Sequence, residues 1–245
     1  MMNYYRTLWS DTKYDGKYQS DFVSQNPIDE KLDAEIKVHG CEYFQLPSRK
    51  KHTIYATLRK IVKNGNYDTI HLNCNSATGA FDLMAIGKYA NKRIAHVHNS
   101  NTQYPFIHQI MKSTFNNMYT DAVACSETAG KWMFIRTFTV LNNAVDVEKF
   151  RYSEQKRNEM REKYGLNDSD YVIGHAGKMF SDQKNQEYLI SIFPTIKEKI
   201  PEAKLFFVGD GQYMAAHKKE AKDEICVSGY DIKKELEKLI EIYEC

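Results

Sequence analysis

The residues best suited to chemistry lie in "GHAGKMFSDQKN", residues 174–185, where Gly177 and Lys178 close a β-rich run and Lys184 follows a short polar bend. Backbone N–H groups at such a bend, the start of a following helix and two ammonium groups together make an anion cradle that suits a diphosphate. The spacing is not that of an NTPase phosphate loop. Val172 stands where the first glycine of G-x-x-x-x-G-K-[ST] belongs, and Met179 replaces the Ser or Thr. A dinucleotide G-x-G-x-x-G fails as well, because Gly174 and Gly177 are the stretch's only glycines. On spacing alone, both lysines also read as ordinary surface residues.

Three further loops follow strand-like runs. In "FFVGDGQ", Gly209 and Gly211 suit a tight turn or the close approach of a ligand to the backbone. In "RIAHVHNSN", His96 and His98 alternate along a strand and share one side, which raises a metal site. No third ligand at useful spacing accompanies them, so the expectation is a metal-free site. His98 at the strand end, with Asn99 after it, can instead donate to a sugar hydroxyl or a phosphate, or serve as a structural histidine. In "ACSETAG" and "LNNAVD", Ser126 can cap the next helix and Asn143 can sit in a turn. Neither has a nucleophile's surroundings, since no G-x-S-x-G elbow is present.

The elements that must carry these loops alternate. From residue 18 onward, β-rich runs ("YQSDFV", "CEYFQLP", "YDTIHLN", "KRIAHVHN", "DAVACS", "FTVLNN") are separated by helical patterns such as "EKLDAEIKVHG", "IYATLRKIVKNG" and "PFIHQIMKSTFNNMY". That rhythm predicts a parallel sheet with helical crossovers. After Asp146 a highly charged stretch intervenes, and the pattern restarts with "YVIGHAGK", "NQEYLISIFPTIKEKI", "AKLFFVGD" and "EICVSG". The expectation is an α/β protein of two Rossmann-like parallel-sheet units, 1–149 and 150–245. The second is incomplete, with only three strand candidates before an amphipathic terminal helix, "DIKKELEKLIEIYE".

Composition excludes several classes. With 34 Lys+Arg against 32 Asp+Glu the net charge is +2, which gives no nucleic-acid signature. Five cysteines without C-x-x-C spacing suggest neither a disulfide framework nor a zinc knuckle, and a reducing cytoplasm is the expected compartment. No apolar run reaches the ~18 to 20 residues a bilayer span needs, so any membrane contact is expected to be peripheral.

In this order the loops resemble those of the retaining GT-B glycosyltransferases of family four, the "glycosyl transferases group 1", especially bacterial members that build capsular and exopolysaccharides. The resemblance rests on "MNYYR", "SDFV", "YDTIHLN", "RIAHVHN", "VACSE", "VLNNAVDVEKF", "IGHAGKMFSDQKNQEYLI" and "AKLFFVGDG", residues 3 to 211. It implies metal-independent transfer of a hexose, with retention, from a nucleotide sugar such as a UDP-hexose to a glycan or lipid-linked acceptor. It further implies that Lys178, in the place of the family's usual arginine, and Lys184 hold the donor diphosphate. His98 would lie beside the transferred sugar, and Gly177, Gly209 and Gly211 would border the nucleotide. Asn99, Ser126 and Asn143 are candidates on the acceptor side.

The family's first strand with its glycine turn, and its Glu-x7-Glu segment after the Gly-Asp-Gly turn, have no counterpart here. Glu154 and Glu162 have the Glu-x7-Glu spacing but sit in the charged stretch, where a solvated helix face is expected. The expectation is a late start plus an internal deletion of about one hundred residues, which would account for both departures. A catalytically inactive remnant, or a nucleotide- or partner-binding module of the same fold, is therefore the alternative to an active transferase. Strand edges left by an incomplete sheet further predict self-association.

Overall fold

The computed structural model describes residues 18–49, 51, 53–143, 150–179, 184–209, 211–212 and 225–229. The expected N-terminal and C-terminal helices lie outside these residues. The chain divides into two compact units, Met1–Val145 and Asp146–Cys245.

In the first unit the elements run β1 (Phe22–Ser24), α1 (Glu30–Val38), β2 (Tyr43–Gln45), α2 (Thr53–Gly65), β3 (Thr69–Cys74), a 3-10 turn (Ala77–Gly79) leading into α3 (Ala80–Ile86), β4 (Lys92–Val97), α4 (Pro105–Asn116), β5 (Asp121–Ala124), α5 (Glu127–Met133) and β6 (Thr139–Val140). β1 and β2 pair with each other, and the other strands form a sheet of order β3-β4-β5-β6. Every pairing is parallel. This is what the helical crossovers demand, since a parallel neighbour can be reached only by running back along the sheet.

Local chemistry sets the helix starts. Asp29 Oδ1 accepts the Leu32 N–H at 2.7 Å to cap α1, and Ser126 Oγ accepts the Ala129 N–H at 3.2 Å to cap α5. Ile54, Leu58 and Val62 on α2 recur at a spacing of four and bury one stripe. One face of the sheet, with Cys74, Ala95, Val97, Ala122 and Ala124, packs with that stripe, Leu83, Ile86 and the fully buried Phe115 into one core. Period-two alternation sends Ile94, His96, His71 and Asn73 to the other face.

The second unit contains α6 (Glu154–Lys163), β7 (Tyr171–Ala176), α7 (Gln186–Lys199), β8 (Ala203–Gly209) and β9 (Ile225–Gly229). Its described sheet has the order β7-β8-β9, again parallel. A smaller core gathers Met179, Phe193, Ala203, Leu205 and Phe207. Glu154 and Glu162 are exposed on α6, which buries none of its residues. Glu154 lies 3.5 Å from Arg157 and bonds the Tyr152 hydroxyl, so it belongs to a solvated charged face.

Candidate functional site

In the second unit β7 ends at Ala176 and the chain leaves the sheet through Gly177, Lys178 and Met179. Three contacts fix this exit. The Gly177 N–H donates to the Val208 carbonyl at 2.9 Å, which extends the ladder one residue past the strand. Met179 is buried in the small core. Gln186, itself buried at the start of α7, donates from Nε2 to the Lys178 carbonyl at 3.3 Å. Lys178 is thus held by its backbone on both sides while its side chain is exposed.

Lys184 re-enters beside it: its Cγ lies 3.4 Å from where a Gly177 Cβ would sit, so its aliphatic stem passes over Gly177. Asn185 then takes the left-handed conformation (φ 49°, ψ 46°) and α7 begins without a side-chain cap. Both lysines and the first N–H groups of α7 are therefore gathered where β7 gives way to α7. The side chains of a phosphate loop are not reproduced, but the physical ingredients are the same: main-chain donors, a helix N-terminus and cationic ends.

The Gly-Asp-Gly turn has a structural role in this arrangement. A Cβ on Gly209 would overlap the Gly177 carbonyl, and one on Gly211 would overlap the backbone of Met179. The two glycines let the turn after β8 lie directly against the loop after β7, both with φ of 156°. Their Cβ space is filled by that loop, so their effect on a ligand would be exerted through the loop's position. His175, whose ring meets Phe207 edge-on at 5.7 Å, backs Gly177 from the strand side.

In the first unit His98, Asn99, Ser126 and Asn143 all follow strand ends: His98 and Asn99 after β4, Ser126 after β5, Asn143 after β6. They therefore share the carboxyl-terminal end of the sheet, where open parallel sheets bind ligands. Asn99 and Asn143 are exposed, and Ser126 is half-buried and engaged as the α5 cap. His98 is half-buried with Nε2 2.9 Å from Asn73 Oδ1. With that oxygen accepting, the proton sits on Nε2 and Nδ1 is left as an acceptor. A sugar hydroxyl would then donate to His98 rather than receive from it.

His71 went unnoticed in the sequence. Parallel registry of β3 with β4 brings it next to His96, the two ring nitrogens 3.0 Å apart, and His96 lies against His98 with ring centres 4.1 Å apart and planes tilted by 36°. The signal was an alternating "HLN" on a neighbouring strand, 25 positions away. Burial lowers the pKa of all three, that of His96 to about 4, with the neighbouring imidazoles contributing at His71 and His96. His96 is almost inaccessible, and its Nε2 has no partner among the described residues. Among those residues no group of three His, Cys, Asp or Glu is placed to hold a metal ion.

A cleft of about 500 Å³ lies at the opposite end of the sheet, lined by Lys92, Asp121, Arg136 and Thr139. Arg136 there serves structure, donating to the Asn116 and Tyr119 carbonyls and lying over the Tyr119 ring.

The fold has close counterparts. A glycosyltransferase from Rickettsia africae superposes with a TM-score of 0.64 at 16% identity, covering 88% of this chain and 61% of that one. HepE of Anabaena, solved with UDP and glucose, superposes at 0.56 and 15% identity, covering 93% and 67%. The chain has the GT-B fold. Residues 156–245 of this GT-B chain also match the family model for Glycosyl transferases group 1. EpsF of Bacillus subtilis (strain 168), a protein named as a glycosyltransferase, is 25% identical over 244 residues, covering 93% of this chain. The chain spans 62% of EpsF's length. No helix among the described residues is long and apolar enough to cross a membrane.

Proposed function

We propose that this protein transfers a hexose from a nucleotide sugar, a UDP-hexose being the first candidate, to a glycan or lipid-linked acceptor with retention at the anomeric carbon. The observation that carries the reading is the cradle of Gly177–Met179 and Lys184–Gln186, where the exposed Lys178 and Lys184 stand on either side of the passage from β7 to the uncapped start of α7, on a backbone seated against Gly209 and Gly211. Two cations and main-chain donors would neutralise the charge that develops on a departing diphosphate. They supply leaving-group stabilisation without a metal ion. UDP in the HepE structure supports a uridine nucleotide as the donor. His98, with Nδ1 as acceptor, would orient a hydroxyl of the transferred sugar, and Asn99, Ser126 and Asn143 would face the acceptor.

Fold alone does not select a reaction. A binding module without turnover remains the second reading, favoured by the exposed, ion-paired setting of Glu154, which cannot supply the family's paired carboxylates. Calorimetry with UDP and UDP-glucose, followed by hydrolysis of the bound donor, separates the two. Saturable UDP binding with slow release of glucose supports the transferase; saturable binding with no turnover supports the module. Absence of UDP binding at millimolar ligand removes both.

A further inference from the structure

The sheet of the second unit has an open edge. β7 pairs with β8 residue for residue, from Tyr171 with Ala203 to Ala176 with Val208, and among the described residues no strand lies on its other side. The Tyr171 N–H donates to the Glu202 carbonyl at 3.0 Å and the Gly177 N–H to the Val208 carbonyl at 2.9 Å, so the odd-numbered residues aim their backbone groups at β8. Strand alternation then turns the N–H and C=O of Val172, Gly174 and Ala176 toward the open edge. All three residues are exposed.

Natural sheets blunt such an edge with charge, proline or a bulge. β7 uses none of these. Its sequence, "YVIGHA", holds no Lys, Arg, Asp, Glu or Pro, and its one-to-one register with β8 leaves no bulge. Alternating unpaired donors and acceptors call for another strand, and this strand is complementary to itself. A two-fold axis through Gly174 lays β7 antiparallel to its own copy, with Gly174 opposite Gly174 and Val172 opposite Ala176, each pair exchanging both of its hydrogen bonds. The central pair has no side chains to collide, and the flanking pair is apolar. Beyond the strand ends the same register sets the exposed Lys178 of one copy toward Asp170 of the other, opposite in sign.

We propose that β7 is a dimerisation edge, where two copies of this chain join their second units into one continuous sheet through residues 172–176. The pairing is independent of the transferase reading, since it needs neither donor nor acceptor.

The first test is sedimentation velocity of the full chain, with amide exchange followed by NMR at a low and a high protein concentration. The mass should rise from monomer to dimer between about 1 µM and about 200 µM. Over the same range exchange should slow at Val172, Gly174 and Ala176, while the Tyr171, Ile173 and His175 amides, already bonded to β8, should stay unchanged. Gly174 gives the second test. A Cβ there meets nothing within 4 Å, so the monomer tolerates a side chain, and residue 174 faces itself across the axis. Gly174→Glu and Gly174→Lys should each weaken the dimer by about fivefold or more, because like charges then stand directly opposite. An equimolar mixture of the two should dimerise better than either alone, with circular dichroism unchanged throughout. A wild-type chain that stays monomeric across the range overturns the proposal. So does a dimer whose Val172, Gly174 and Ala176 amides exchange equally fast at both concentrations, or a mixture that dimerises no better than its components.

Discussion

At the scale of single residues, Lys184 and Gly211 act in different ways. Lys184 is held by its stem on Gly177 and offers only its ammonium group to a ligand. A hydrogen bond to a charged group contributes about 1.5 to 3 kcal/mol, so Lys184→Ala should weaken UDP binding by roughly ten- to a hundredfold in calorimetry while leaving the melting temperature unchanged. Lys178→Arg should tighten it, because the planar guanidinium forks onto a diphosphate where an ammonium cannot. Gly211→Ala should act through stability instead. Its Cβ meets the Met179 backbone, which has no flexible end to swing away, so stability should fall by about 2 kcal/mol or more in urea titration and UDP binding should fail with it. The lysines were legible as candidates from "GKMFSDQKN". The roles of Met179 as anchor and Gln186 as brace were not, because a buried methionine and a glutamine in contact with a carbonyl have no sequence spacing of their own.

At the scale of elements, the paired strands β3 and β4 set up a cluster of neutral histidines. His96 is buried with a pKa near 4, against 6.5 for the free side chain. The unfolded chain therefore binds a proton between those values while the folded chain does not, and protons favour unfolding throughout that window. Stability should be unaffected by this group above pH 6.5 and should fall by about 2 to 3 kcal/mol as the pH drops to 4. Denaturant titrations at pH 7, 5.5 and 4.5 will read this, and His96→Leu should flatten the slope. The strands themselves were legible from β-rich runs between helical patterns. Contact of His71 with His96 was not, since it depends on which strands pair and in which register.

For the whole molecule, two cores of unequal size do the holding. Phe115 sits in the larger and Phe207 in the smaller, both fully buried. Truncating either should cost about 3 to 5 kcal/mol. Hydrogen exchange should locate that loss differently: Phe207→Ala should lower protection at Leu205–Val208 and weaken UDP binding, while Phe115→Ala should lower protection at Ala95–Val97 and leave the cradle's amides as they were. Equal loss across both units in either variant would contradict this assignment of the cores.

The strand-helix alternation, the restart after Asp146 and the positions of Lys178, Lys184 and His98 after strand-like runs all follow from the sequence, because period-two and helical patterns and turn residues are local properties. Three things depended on tertiary structure: the seating of the Gly-Asp-Gly turn on residues 177–179, the Gln186 brace and the His71–His96 contact. The first and the last join residues from separate parallel strands or their loops, with a whole crossover of chain between partners, and the brace depends on the path of the chain between β7 and α7, so no local pattern marks them.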